Sequence, residues 1–447
     1  MRLALLAICV AACTSSNVVV GDLQEVTSLK AVPNRDLDIL FVVDNSPSMI
    51  EEQQSLAANF PRMIDELSTL DGGLPNLHIG VVTSDLGTSG SHTQPADGVG
   101  NGAGGCHGLG DGGNLVAISG ATEPYLSDVE AADGSRERNY TGELRDAFGS
   151  AALVGDQGCG FEQHLGAMRR ALDANPNNAG FLRPTANLAV VILADEDDCS
   201  VGDSAFFGGD TSQLGAMQSF RCFRFGVQCD PDDPNAPGDK VNCRPRDASP
   251  YIDPVQPFAD FLVNLKGDER AVMVAGVVGD PTPVAVTLEP PPGDYTPIPT
   301  LAHSCTYDGP TGPQNADPAV RLASFLDAFP GRSRLTSICN PDLSGAVDDI
   351  GLSAKKLMGD PCLDTRGLYD TSEAPGIQPA CEVSDIRDSD PDSPITLPSC
   401  ADGAATCFEL VADPAACPAS TDHLRVQIHR TADPGIDTWT HVRCEPR

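Results

Sequence analysis

Four short, continuous apolar runs constrain this chain more than anything else in it: 37–43 (LDILFVV), 77–82 (LHIGVV), 188–194 (LAVVILA) and 271–278 (AVMVAGVV). Runs of this length, rich in Val, Ile and Leu, read as strands buried on both faces, which is what a parallel sheet covered by helices requires. Helical patterns lie between and after them. Leu56, Phe60, Met63 and Leu67 share one face, as do Leu165, Met168 and Leu172; further on come the stripes Leu322, Phe325, Phe329 and Leu343, Val347, Ile350, Ala354, Leu357. Pro61 is expected to kink or divide the first helix. The alternation predicts an α/β fold, an open, mainly parallel, doubly wound sheet with helices on both faces. Hydrophobic residues at 40% suffice for a large core, and only 15 Phe, 6 Tyr and 1 Trp among 447 residues make that core mostly aliphatic.

The N-terminus carries an address. Arg2 followed by the apolar run Leu3–Ala12 has the form of an export signal, too short to span a bilayer as a helix. Val10-Ala11-Ala12-Cys13 resembles the lipobox of bacterial lipoproteins, which implies a signal peptide over 1–12, acylation of Cys13 and membrane attachment through that lipid alone. An ordinary signal peptide is the alternative. Thr14 fits sorting to the outer membrane or cell surface. Residues 13–35 then form the lipidated Cys and a polar tether.

Cysteine usage agrees with export. Of 16 cysteines, Cys9 falls in the signal and Cys13 in the lipobox. Cys106, Cys159, Cys199, Cys222, Cys229, Cys243, Cys305, Cys339, Cys362, Cys381, Cys400, Cys407, Cys417 and Cys444 remain, an even number that suits disulfides in an oxidising compartment. Cys106 with Cys159, and Cys199 with one of Cys222, Cys229 and Cys243, would staple long loops; the rest of the connectivity is open. Zinc-ligand spacing is missing. With 28 Lys+Arg against 63 Asp+Glu, a net charge of −35 excludes a nucleic-acid partner held by basic counter-charge.

Two insertions near 87–150 and 199–260 enlarge the α/β domain. Residues 87–115 hold 11 glycines and read as a loose, irregular loop, not a phosphate cradle, because no Lys-Ser/Thr follows. Residues 199–260 read as a disulfide-pinned surface excursion. From 363 to 447 the cysteines punctuate short strand patterns such as 424–430 and 437–443, predicting a small disulfide-rich β-type C-terminal module.

The chemistry concentrates where the first buried run ends, in Asp44-Asn45-Ser46-Pro47-Ser48. A carboxylate and two hydroxyls at alternate positions offer the oxygen ligands that hard cations take. Asp195 follows the third run directly, and ligands of open α/β sheets bind beyond the carboxyl ends of strands, so Asp44 and Asp195 are expected to share a crevice. Ser46 and Ser48 serve equally as helix N-caps near Ile50.

These residues resemble the von Willebrand factor type A (VWA) family, whose metal-ion-dependent adhesion site has the form Asp-x-Ser-x-Ser; Asp44, Ser46 and Ser48 match it. The resemblance implies a Rossmann-like VWA domain over 36–362. The family's later Asp, usually followed by Gly, maps onto Asp195, with Glu196 in place of the Gly. The family's Thr has no counterpart, and Glu162 takes its place in Gly158-Cys159-Gly160-Phe161-Glu162-Gln163. A cation held by Asp44, Ser46, Ser48, Glu162 and Asp195, most simply Mg²⁺ with Mn²⁺ or Ca²⁺ as alternatives, is what the resemblance implies. The rival reading makes Glu162 a first-turn acid favoured by the helix dipole, with Thr83 or water near the metal.

The remaining motifs are bland. Asp388, Asp390 and Asp392 lack the Gly and Glu of a calcium loop and read as a solvated turn; Asp197 and Asp198 read most simply as solvated loop charge. His78, His164 and His303 stand alone, and neither a His-Glu-x-x-His pair nor a Gly-x-Ser-x-Gly elbow is present. No catalytic residue is assigned, so the expected role is metal-dependent binding of a protein or other macromolecular ligand in adhesion or assembly, not enzymatic. The alternative is a metal-independent, disulfide-stabilised envelope scaffold, and a third reading, placed last, is a metal-dependent hydrolase in which the cation activates water.

Overall fold

The computed structural model describes residues 23–447, apart from 71, 291–295, 360, 375, 415, 416, 418, 419, 433 and 436. The export signal, Cys13 and the first part of the tether lie outside the described residues. The chain divides into two compact units, Pro33–Asp360 and a second one made of Pro361–Arg447 with the described residues up to Val32.

In the first unit the four apolar runs form β1 (Asp36–Val43), β2 (Asn76–Thr83), β5 (Asn187–Ala194) and β6 (Val272–Val278). Together with β3 (Leu126–Glu130), β4 (Arg136–Arg138) and β7 (Ser333–Ser337) they build one seven-stranded sheet in the order β7-β6-β5-β1-β2-β3-β4. β7, β6, β5, β1 and β2 pair in parallel, whereas β3 and β4 are antiparallel additions. Every other sheet among the described residues is antiparallel, so the chain as a whole is mixed α/β with several sheets.

Side chains alternate across a strand, and β1 shows what that does to the core. Leu37, Ile39, Phe41 and Val43 face one buried cluster, with Leu56, Phe60 and Met63 of α1 (Ile50–Ser68), Phe148 of α2 (Leu144–Ala152) and, from a later helix, Val347 and Ile350. Leu40 and Val42 face another cluster, with Leu165 and Met168 of α3 (His164–Leu172), Phe258 and Leu262 of α4 (Gln256–Lys266) and Leu322 and Phe325 of α5 (Val320–Asp327). The later helix is α6 (Ser344–Leu357). Each wholly buried Leu, Val or Phe contributes about 1.5–3 kcal/mol relative to exposure, which is why the period-two pattern fixes the register.

Several sequence expectations need correction. Pro61 does not divide α1, which is helical on both sides of it. Phe60 and Met63 sit in one core with Phe148, whose ring stacks on Phe60 at 3.6 Å between centroids, and that packing outweighs the one backbone bond Pro61 cannot donate. The segment 87–150 is no simple insertion, because β3, β4 and α2 within it extend the sheet and the core. Its glycine-rich part packs closely. At Gly87, with φ +60°, an added Cβ would lie 2.4 Å from the His107 carbonyl, so glycine here permits backbone-on-backbone contact. Likewise 199–260 contributes to buried clusters, Phe206 and Phe207 with Cys106, Cys159 and Phe161, and Phe220 and Phe223 with Val284, Val286 and Val320.

In the second unit, Gln24–Lys30, Thr438–Cys444, Cys381–Arg387 and Asp390–Leu397 form a four-stranded antiparallel sheet in that order, beside a hairpin of Cys407–Ala412 with Leu424–His429. Part of the expected tether is therefore a strand: residues 24–30 pair with 439–444, and Leu29 is buried with Val383 and Val442. Asp390 and Asp392, read as part of a turn, stand on an exposed edge strand.

The fourteen cysteines of the described chain close seven disulfides: Cys106–Cys159, Cys199–Cys222, Cys229–Cys243, Cys305–Cys339, Cys362–Cys417, Cys381–Cys444 and Cys400–Cys407. Such a density belongs to an oxidising, extracytoplasmic compartment. No helix among the described residues is long and apolar enough to cross a membrane.

Candidate metal centre

β1 and β5 are neighbouring parallel strands, so the residues that leave their carboxyl ends leave side by side. The Asp44 N–H donates to the Leu193 carbonyl (3.0 Å), carrying the pairing one residue past β1 and fixing where the Asp44 carboxylate starts. That side chain is wholly buried. Its Oδ1 accepts the Ser46 N–H at 2.7 Å, while Oδ2 has no hydrogen-bond partner and lies 3.4 Å from Nε2 of His164. Gln53 of α1 braces the turn by donating to the Asp44 carbonyl (2.9 Å). Neither serine caps α1, whose N-cap is Met49 without a side-chain bond; the Ser46 and Ser48 hydroxyls lie 3.2 Å apart instead.

Glu162 reaches the same place from the loop before α3. It precedes the N-cap Gln163, so it is not a first-turn acid. Three ties hold this loop. Gly158 N–H donates to the Asn45 carbonyl (2.8 Å), Cys199 N–H donates to the Glu162 carbonyl (2.8 Å), and Cys159 is bonded to Cys106. At Gly158 an added Cβ would lie 2.1 Å from Asn45 Oδ1, so only glycine lets the two loops meet. Thr83 is engaged elsewhere, donating to Asp111 (2.6 Å).

The third carboxylate of the cluster is Glu196, not Asp195. One oxygen from each of Asp44, Glu162 and Glu196 lies within 4.8 Å of the others. Asp195 stands beside them, buried, with one carboxylate oxygen left without a partner. Desolvation, followed by the charge of Asp44, pushes the carboxyls of Glu162 and Asp195 well above their ordinary range. Desolvation does the same to Glu196, and Glu162, Asp195, Asp44 and Asp317 all act on it in that direction.

Asp197 and Asp198 are not solvated loop charge. Asp198 is wholly buried and pairs with the equally buried Arg321 (2.9 Å), while also accepting the Leu165 N–H at the start of α3 (2.9 Å). Asp197 accepts the N–H groups of Arg321 and Leu322 at the start of α5 (both 3.0 Å to Oδ1), and burial raises its pKa to about 6. The run 195–198 is thus split, two acids facing the cluster and two anchoring helices.

The donor set fits a hard divalent cation. Oxygens of Asp44, Glu162 and Asp195 are buried without a hydrogen-bond partner, a costly state that a cation reverses by replacing mutual repulsion with attraction. A pocket of about 20 Å³, room for one water-sized particle, is lined by Glu162, Glu196 and Asp317 together with Phe220, Phe223 and Leu301.

Sequence reasoning missed Glu196 and His164. The signal for Glu196 was the four-acid run after a buried strand; nothing in the sequence singled out His164.

No family model matches the chain, and no curated protein matches it. Solved structures similar to it include the pilus adhesin SpaC from Lactobacillus rhamnosus GG, at 11% identity over 94% of this chain and 40% of that one, with a TM-score of 0.31. An aerotolerance-related membrane protein from Bacteroides fragilis matches at 11% identity over 72% and 99% of the two chains, TM-score 0.27. A von Willebrand factor type A protein from Catenulispora acidiphila matches at 11% identity over 96% and 67%, TM-score 0.25. The chain thus spans 40% of the length of SpaC.

Proposed function

We propose that this protein is a metal-dependent binding module of the cell envelope, with a VWA-type site that engages a macromolecular partner in adhesion or assembly. One observation carries the reading: Asp44, Glu162 and Glu196, far apart in sequence, converge in a buried space where carboxylate oxygens lack partners. Asp44, Glu162 and Glu196 would hold the cation, with Ser46, Ser48 and Asp195 beside them. Mg²⁺ suits a small site that keeps some water, and Mn²⁺ or Ca²⁺ share its oxygen chemistry. When bound, the cation supplies an electrophilic position that an acidic side chain of a protein partner can fill. The protein's own residues decide who reaches it: Phe220, Phe223 and Leu301 wall the pocket, so partner choice rests on the segment between Cys199 and Cys243 and on Leu301. Glu196 adds a negative charge that weakens attraction for an incoming acid and tightens retention of the cation. Attachment through acylated Cys13, at the outer membrane or cell surface, completes the reading.

A second reading is favoured by the closeness of the Glu162 and Glu196 carboxyls, whose oxygens lie within 4.8 Å of each other. A proton shared there closes the site without metal, leaving a disulfide-stabilised scaffold. Thermal unfolding with Mg²⁺ and with EDTA separates the two. A metal-binding module gains stability from Mg²⁺ and loses that gain in Asp44→Ala, whereas a scaffold melts at the same temperature in Mg²⁺ and in EDTA.

A further inference from the structure

Away from the carboxylate cluster, the described residues form a cleft of about 420 Å³ between α3 and its flanking loops. Its lining includes Arg169, Arg170, His92, Asp173, Asp253 and Phe258. In a chain with 63 acids and 28 Lys+Arg, a cleft in which basic side chains match the acidic ones is out of character.

The two arginines of this cleft are not used to hold the fold together by charge. Arg170 is half-buried, forms no ion pair among the described residues, and makes a single long hydrogen bond, 3.4 Å, to the Gly90 carbonyl. Burial alone pushes its pKa down, with no neighbouring carboxylate pushing back. Its backbone is pinned: a Cβ at Gly113 would lie 2.5 Å from the Arg170 Cβ, so the loop at Gly113 packs directly on it. Arg169 lies with its guanidinium 5.4 Å from the Phe261 ring centroid and likewise forms no ion pair among the described residues. The acid nearest in kind to a competitor, Asp253, is already occupied, accepting from Ser91 Oγ (2.5 Å) and facing His92 Nε2 at 3.2 Å. By contrast Arg221, wholly buried, donates to four carbonyls, those of Phe206, Gly208, Gly215 and Ala216.

We propose that this cleft binds a small organic carboxylate, with Arg170 as the residue that receives it. A half-buried guanidinium whose N–H groups are left open to the cleft presents the planar fork that a carboxylate matches with two parallel hydrogen bonds. The volume lies in the range of small-molecule sites, and Phe258 and Leu86 give the rest of the ligand an apolar wall. The site does not depend on the metal centre.

Calorimetry on the full chain tests this, with succinate and inorganic phosphate as probes and EDTA present so that a carboxylate at the metal centre is not counted. Succinate binds the wild type, Arg170→Gln weakens it at least tenfold, and Arg170→Lys, which keeps the charge and loses the fork, weakens it less. Arg366→Gln, at an exposed arginine paired with Asp364, leaves binding unchanged. Should Arg170→Gln fail to fold, Arg170→Lys alone still reads out the fork. Equal affinity in wild type and the Arg170 variants, absence of succinate binding, or binding of phosphate but not succinate overturns the proposal.

Discussion

Glu162 and Glu196 bring carboxylate oxygens within 4.8 Å of each other in a space that Asp44 also enters, and ionising Glu162 makes it harder to ionise Glu196. In the absence of a cation, protons balance the charge. The sign of the pH dependence follows. Glu162, Glu196 and Asp195 all have folded pKa values above the unfolded ones, so their contribution to stability is complete at low pH and is lost as pH rises through the folded values. In EDTA, denaturant midpoints are expected to fall from pH 5 to pH 8, and saturating Mg²⁺ is expected to flatten that slope, because the cation holds the ionised form.

Replacing Glu196 with Gln separates stability from affinity. Glu196→Gln removes one of the mutually repelling carboxyls, so the metal-free protein becomes more stable at pH 8. The same change deletes a ligand, and Mg²⁺ affinity is expected to drop on the order of tenfold or more, about 1.4 kcal/mol for each factor of ten. Parallel melting curves and calorimetry check both directions at once.

The buried pair Arg321–Asp198 ties the loop after β5 to α3 and α5. Arg321→Ala leaves Asp198 buried and unpaired, with an expected cost of about 3–5 kcal/mol by chemical denaturation. Replacing both residues with apolar ones of similar size costs less, because no orphaned charge remains.

The Cys106–Cys159 disulfide closes a separation of 53 residues beside Gly158, whose N–H bonds the Asn45 carbonyl. Replacing both cysteines with Ala is expected to cost about 2–5 kcal/mol of stability. Because the loop carrying Glu162 loses its staple, Mg²⁺ affinity falls as well, which a purely global loss of stability does not produce in a protein that remains folded.

How much of this was legible beforehand depends on where the physical signal was local. The strands bearing Asp44 and Asp195 are written in their apolar runs, and parallel pairing through β1 and β5 brings the two acids to adjacent positions. The strand at Gln24–Lys30 was hidden, because its partner, Thr438–Cys444, lies at the other end of the chain and most of its residues are polar. Glycines at 87–115 suggested looseness, yet Gly87 is there because two backbones touch. Within Asp195-Glu196-Asp197-Asp198, direction is set by tertiary partners: Arg321 claims Asp198, the start of α5 claims Asp197, and Glu196 is left facing Glu162. No sequence pattern encodes that division.

The most direct measurement is anomalous diffraction from crystals of the full chain grown with Mn²⁺. A single strong peak is expected within ligand distance of carboxylate oxygens of Asp44, Glu162 and Glu196 together. A fully Mn²⁺-exposed crystal with no peak there, or with the ion bound only elsewhere, contradicts the metal centre.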